Sequence, residues 1–248
     1  MLTSNKSDQA YSAIRQAIIE QALAPGTKLP EDSLGLHFGM SRTLIRAALA
    51  RLVAEGLVET SLKRTATVAQ PSLEEARSVF EVRRCLEAEV VRLVIARWRP
   101  AMGASLEAHI RLEEQAAKEI QAPVSARLAG EFHQLLAQMS GNPLLERYLG
   151  ELVSRCSLIL AIYGRPHRAD CAISEHRGFL DALRRGDEKA ARKLMAEHLG
   201  HVEQRALHGQ AAGAEPDLGQ ILGRYLGRPG GTPVSGVVAP PRKRRIAR

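Results

Sequence analysis

Residues 38–68 read FGMSRTLIRAALARLVAEGLVETSLKRTATV, and the order of signals in that stretch decides the fold class. Gly39 breaks a short helical pattern over about residues 31–37. Ser41 stands where an N-cap belongs. The helical pattern behind it runs from about 42 to 55 and stops at Gly56, a common residue just past a helix end. Ile45, Leu49, Leu52 and Val53 fall on one stripe, which predicts packing against two preceding helices. Two β-prone runs follow, 57–60 and 65–68, joined by a polar turn at 61–64, and Pro71 closes the segment. Upstream, about residues 8–22 read as a helix ending before the turn Pro25-Gly26. Helix, short helix, long helix and hairpin, in that order, predict a winged helix-turn-helix over residues 1–70.

The long helix keeps Arg42, Thr43 and Arg46 off its apolar stripe, in its leading half. Arginine can bond a guanine edge through two donors, and serine or threonine can bond phosphate or base. Lys63 and Arg64 sit at the hairpin tip, where a wing meets the DNA backbone or minor groove. Two arginines on an isolated helix are more often a solvated face. The order of elements around them favours the DNA reading, with Ser41, Arg42, Thr43, Arg46, Lys63 and Arg64 as the contact set.

Beyond Leu73 the pattern stays helical to about Leu207, which predicts an all-α bundle over 73–208 of about six helices. Expected breaks fall at Pro100, Gly103, Pro123, 141–143, 164–166 and 186–187. Residues 209–248 change character: Gly and Pro abound and the chain ends in a basic run through Arg242, Lys243, Arg244 and Arg245. That composition predicts a mostly disordered tail, with a short helical tendency near Ile221 and Leu222. No internal repeat is visible. The fold class is therefore mainly α, a winged helix-turn-helix followed by a helical bundle.

Composition narrows the function classes. The net charge is +8. Residues 1–70 hold eight basic and six acidic side chains, 71–208 hold twenty and nineteen, and the tail holds seven and two. Most of the excess lies in the tail, so a high isoelectric point alone argues little for a DNA-binding fold. The tail's arginines can add salt-sensitive, sequence-independent affinity for DNA. No apolar run approaches the roughly 20 residues needed to span a bilayer, and the first residues lack a signal core, so the expectation is a cytoplasmic protein with no membrane partner. Cys85, Cys156 and Cys171 are odd in number and scattered. They predict buried structural thiols rather than disulfides or a thiolate metal site.

The runs Leu23-Ala24-Pro25-Gly26-Thr27-Lys28-Leu29, Phe38–Thr43, Arg46–Leu49 and Leu52–Val58 resemble the GntR family of regulators. Two positions depart from that pattern. Asp32 stands where the family often has an arginine, and Thr65 where the wing usually has a glycine. Residues 73–208 resemble the FadR-like effector domain, FCD, through Glu81–Arg84 with Glu87, Glu131-Phe132-His133, Ser140–Leu145, Glu175-His176 and His198-Leu199. The resemblance implies a homodimeric repressor or activator on a palindromic double-stranded operator. It also implies a small-molecule effector, an organic acid or related metabolite, bound in the helical domain.

The residues support an interior site independently. His176 shares an apolar stripe with Ile173, Leu180 and Leu183, and His198 shares one with Leu194, Met195 and Val202. His133 lies at a stripe's edge beside Leu136 and Ala137. Three helices can thus bring three imidazoles to one point, and imidazole suits zinc, nickel or iron, and manganese less strongly. Any one inward histidine is more often a satisfied core residue. The family's metal-binding members supply an Asp where this chain has Ala129, and Glu131 is about 200° away around the helix. Either three histidines hold a divalent metal with water or effector completing the shell, or the site holds none. Arg83 lies on the stripe of Val79, Leu86 and Val90, facing an acidic effector or Glu87 one turn on. The effector candidates are Arg83, His133, His176 and His198. His109, His167, His201 and His208 read as surface or outer residues.

Two rivals compete with a regulator. Three histidines can hold a catalytic metal, but the sequence places no inward carboxylate or nucleophile with them, so an enzyme is not expected. A charge-driven nucleic-acid coating protein would need aromatic platforms, and aromatics are only 4% of residues.

Overall fold

The computed structural model describes residues 6–61, 64–164, 170–207 and 223. It opens with α1 (Lys6–Ile19), whose Ala10, Ile14, Ala17 and Ile18 face inward at helical spacing. After the Pro25-Gly26 turn come β1 (Lys28–Leu29), α2 (Glu31–Phe38) and α3 (Arg42–Ala54). β1 is absent from the sequence reading because a two-residue strand leaves no periodic signal. Gly39 ends α2 at φ 62°, a left-handed conformation that a β-carbon disfavours, and so sets the bend into α3. β2 (Val58–Ser61) and β3 (Arg64–Val68) form the hairpin, and β3 is central in an antiparallel sheet ordered β1-β3-β2. Leu29 lies opposite Ala66, and Val58 opposite Val68. Ile45, Ala48, Leu49 and Leu52 of α3 are buried with Ile14, Ile18, Leu23 and Leu34, which gives this part its own core.

Six helices follow among the described residues: α4 (Leu73–Ala96), α5 (Pro100–Lys118), α6 (Ala122–Met139), α7 (Pro143–Tyr163), α8 (Asp170–Arg184) and α9 (Glu188–Leu207). A capping box starts α4: the Ser72 hydroxyl accepts from the Glu75 N–H at 3.2 Å, and the Glu75 carboxylate accepts from the Ser72 N–H at 2.7 Å. Pro100, Pro123 and Pro143 occupy first turns, where a missing N–H costs nothing. Gly103 does not break a helix. It lies inside α5, where the Trp98 ring packs so closely that a β-carbon would sit 3.2 Å from it. The main core gathers Val90, Val94, Leu106, Ile110, Phe132, Leu136, Phe179, Leu180, Met195 and Leu199. Of the three thiols only Cys156 is buried; Cys85 and Cys171 are exposed on the outer faces of α4 and α8, which corrects the expectation for those two.

The two parts touch through α6 and α7. Leu158 of α7 belongs to the N-terminal core. Arg15 of α1 donates to the Ser154 hydroxyl at 2.9 Å and to the Glu55 carboxylate at 3.1 Å. Arg127 of α6 reaches Glu20 at 2.9 Å. Gly56, at φ 71°, lies against the Arg155 guanidinium, where a β-carbon would collide. No helix among the described residues is long and apolar enough to cross a membrane. Lys63, His167 and His208 lie outside the described residues, as does the basic tail apart from Gly223.

Candidate functional site

Two places in the chain gather the residues picked out by sequence. The first is the leading end of α3. Ser41 is its N-cap residue in an extended conformation, and its hydroxyl makes no capping hydrogen bond. Ser41, Arg42, Thr43 and Arg46 are all exposed, on the side of α3 opposite Ile45 and Leu49. Arg64 is the first residue of β3, in the hairpin beyond α3. The sequence reading missed what α2 contributes here. Glu31 and Asp32 in its first turn pair with Arg46 and Arg42. The Arg46 Nε lies 2.8 Å from both Glu31 oxygens, and that bond holds the Glu31 carboxyl below its usual range.

The second place is the centre of the bundle. His133 on α6, His176 on α8 and His198 on α9 are all buried, His133 more deeply than the edge of a stripe suggested. One nitrogen from each ring lies within 4.8 Å of the others. Each Nδ1 faces a carboxylate. His133 Nδ1 is 2.6 Å from Glu87 of α4, His176 Nδ1 is 2.9 Å from Glu113 of α5, and His198 Nδ1 is 2.6 Å from Glu175 of α8. An ionised carboxylate only accepts, so each Nδ1 carries a proton, and the carboxylate contacts leave each Nε2 for the interior. The expectation that no inward carboxylate accompanies the histidines therefore fails. These three carboxylates, however, are spent on orienting imidazoles. Glu113 was legible after the fact: it continues the α5 stripe of Met102, Leu106 and Ile110.

Charge is organised around this point. Arg83 is buried and donates from Nε to the Glu87 carboxylate at 2.6 Å, while the other Glu87 oxygen takes His133. Burial opposes charge on Glu87, yet His133 and Arg83 hold its carboxyl at about 2. Burial, with Arg83 and His198 nearby, pushes His133 down to about 3, and burial also lowers His198. Both rings are therefore neutral near pH 7. Burial raises the Cys156 thiol, which sits beside Arg83. Of the outer histidines, His109 bonds the Leu128 carbonyl at 2.9 Å and the exposed His201 bonds Glu175 at 2.7 Å.

The residues present fit a cation. The Nε2 atoms of His133 and His198 are 3.2 Å apart, so two lone pairs face each other with no proton between them. His176 Nε2 is buried without a hydrogen-bond partner. Three imidazoles, each fixed by an outer carboxylate, are a donor set that zinc and similar divalent metals take. Ala129 on α6 adds no fourth ligand.

Comparison with known proteins gives these two places a common context. The family description "Bacterial regulatory proteins, gntR family" matches residues 6–68, and "FCD domain" matches residues 78–201. The HTH-type transcriptional regulator YdhC of Bacillus subtilis (strain 168) is 26% identical over 84% of this chain and 93% of its own length. The HTH-type transcriptional repressor RspR of Escherichia coli (strain K12) is 24% identical over 82% of this chain and 89% of its own. Among solved structures, Escherichia coli McbR/YncC aligns with a TM-score of 0.72 at 23% identity, covering 80% of this chain and 95% of that one. A GntR regulator from Rhodococcus sp. RHA1 aligns at 0.71 and 23% identity, covering 82% and 98%; both likenesses concern the fold.

Proposed function

The chain belongs to the GntR family of bacterial regulatory proteins and carries an FCD domain, and from that premise we propose how this DNA-binding transcriptional regulator, which is not an enzyme, reads DNA and senses a ligand. Residues 1–70 bind the operator, with Ser41, Arg42, Thr43 and Arg46 in the major groove and Lys63 and Arg64 on the backbone or minor groove. Two copies place two α3 helices on the half-sites of a palindrome. Residues 73–208 hold a divalent metal through His133, His176 and His198, and the metal supplies an electrophilic site for a carboxylate oxygen of an organic-acid effector. Glu87, Glu113 and Glu175 keep the three Nε2 lone pairs aimed inward, and Arg83 keeps Glu87 charged and in place.

The observation that carries this reading is the convergence of three buried imidazoles, one with an orphaned Nε2, on a point where Ala129 leaves coordination open. A path to the DNA-binding part exists in the same helices. α6 bears both His133 and Arg127, which bonds Glu20, and α7 bears both Cys156 beside Arg83 and Ser154 bonded to Arg15. An effector changes DNA affinity only as far as it binds the two arrangements of these helices unequally. The test is metal analysis of gently purified protein beside a His176→Ala/His198→Ala double variant. The expected result is about one metal per chain, lost in the variant. Metal in neither sample overturns the metal-centred part of the proposal.

A further inference from the structure

The carboxylates of α2 raise a question that neither stability nor charge answers. Arg42 and Arg46 are 65% and 64% exposed, and exposed ion pairs contribute little to folding. A carboxylate on a DNA-facing surface also opposes the phosphate backbone. Yet both arginines in the leading half of α3 have one, each from a neighbouring residue of α2.

The atoms used are the informative part. Arg46 donates to Glu31 from Nε, and Nε is the atom of Arg42 nearest to Asp32. Among the described residues, every hydrogen bond that Arg46 makes comes from Nε, and its terminal NH groups make none. That terminal edge is the fork that matches guanine O6 and N7. An arginine free to sample its rotamers loses that freedom on binding, and a partner that fixes it beforehand removes part of the cost.

Building on the DNA reading of α3, we propose that Glu31 and Asp32 are specificity-determining residues that hold Arg46 and Arg42 with their terminal NH groups turned outward for guanine.

The test uses the full chain and duplexes that the wild type enriches from a randomised library. Binding is measured to the enriched duplex, to its single-base variants and to a scrambled duplex, across a salt series, for wild type, Arg46→Ala, Glu31→Ala and Asp32→Ala. Arg46→Ala identifies the base pair that Arg46 reads. At that pair Glu31→Ala is expected to reduce the preference for guanine about tenfold. Its affinity for the scrambled duplex holds or rises, because a negative charge is gone. Asp32→Ala does the same at a different guanine. An equal rise in affinity for every duplex, with preferences intact, overturns the proposal while leaving Arg46 as a reader. If Arg46→Ala itself leaves every preference unchanged, or the wild type enriches no sequence, the DNA reading of α3 falls and this proposal with it.

Discussion

The leading end of α3 and the centre of the bundle use the same device in opposite surroundings. In each, a carboxylate holds a nitrogen-bearing side chain by one edge, Nε of the arginine or Nδ1 of the imidazole. Glu31 holds Arg46 at 2.8 Å in the open, while Glu87 holds His133 at 2.6 Å in a closed interior. Water competes for the exposed pair, so it positions without stabilising much. Arg83, Glu87 and His133 are buried away from solvent, so each depends on the others and none can be removed cheaply. Under the proposed function, the first arrangement exchanges partners when DNA arrives, and the second holds a coordination point rigid before any ligand does.

The largest expected effect is on stability. Glu87→Ala leaves Arg83 and His133 buried without their shared acceptor, and breaking such a pair costs about 3–5 kcal/mol. Urea denaturation of that variant should show the loss, while Glu31→Ala should unfold at the wild-type midpoint. Equal midpoints for the two variants would erase the contrast between the sites.

A pH series sharpens it. His133 titrates lower in the folded chain than in the unfolded one, so the unfolded state takes up protons first as the solution is acidified. Stability from this source is present above the unfolded histidine value and declines as pH falls toward about 3. In chelator-treated protein, the urea midpoint should drop between about pH 7 and pH 5, before most carboxylates titrate. His133→Gln should flatten that slope, whereas Arg46→Ala should leave it unchanged. A slope that survives His133→Gln would place the titrating group elsewhere.

The smallest effect concerns the connection between the regions. Arg127 is half-buried and joins α6 to Glu20. Arg127→Gln should leave metal content and operator affinity close to wild type, yet shrink the change in operator affinity caused by metal removal. Titrating the operator with and without chelator measures this. An unchanged ratio would take Arg127 out of the communication.

The legibility of the two regions also differs. Around α3 the signals are local. Ser41, the stripe of Ile45, Leu49 and Leu52, and Gly56 lie within one stretch, and each acts on its immediate neighbours. What was missed there, the pairing of Glu31 and Asp32 with Arg46 and Arg42, depends on how α2 crosses α3. In the bundle the inward histidines were readable from helical spacing, because an imidazole on an apolar stripe has nowhere else to point. Their outer partners were not. Glu113 continues the apolar stripe of α5, which turns it inward, but only the rotation of α5 against α8 brings it to His176. The expected break at Gly103 failed for a similar reason: glycine also serves close packing inside a helix, and the Trp98 ring that uses the space comes from the preceding turn.

By itself, then, the sequence determined the order of elements, the mainly helical class and the residues that face inward or outward, since propensity, capping and periodicity act over a few residues. Tertiary structure alone decided which nitrogen of each histidine is tied to a carboxylate, which carboxylate each arginine of α3 meets and how α6 and α7 meet the N-terminal part. Those outcomes depend on distances between atoms far apart in the chain, and no local rule fixes the rotation of one helix against another.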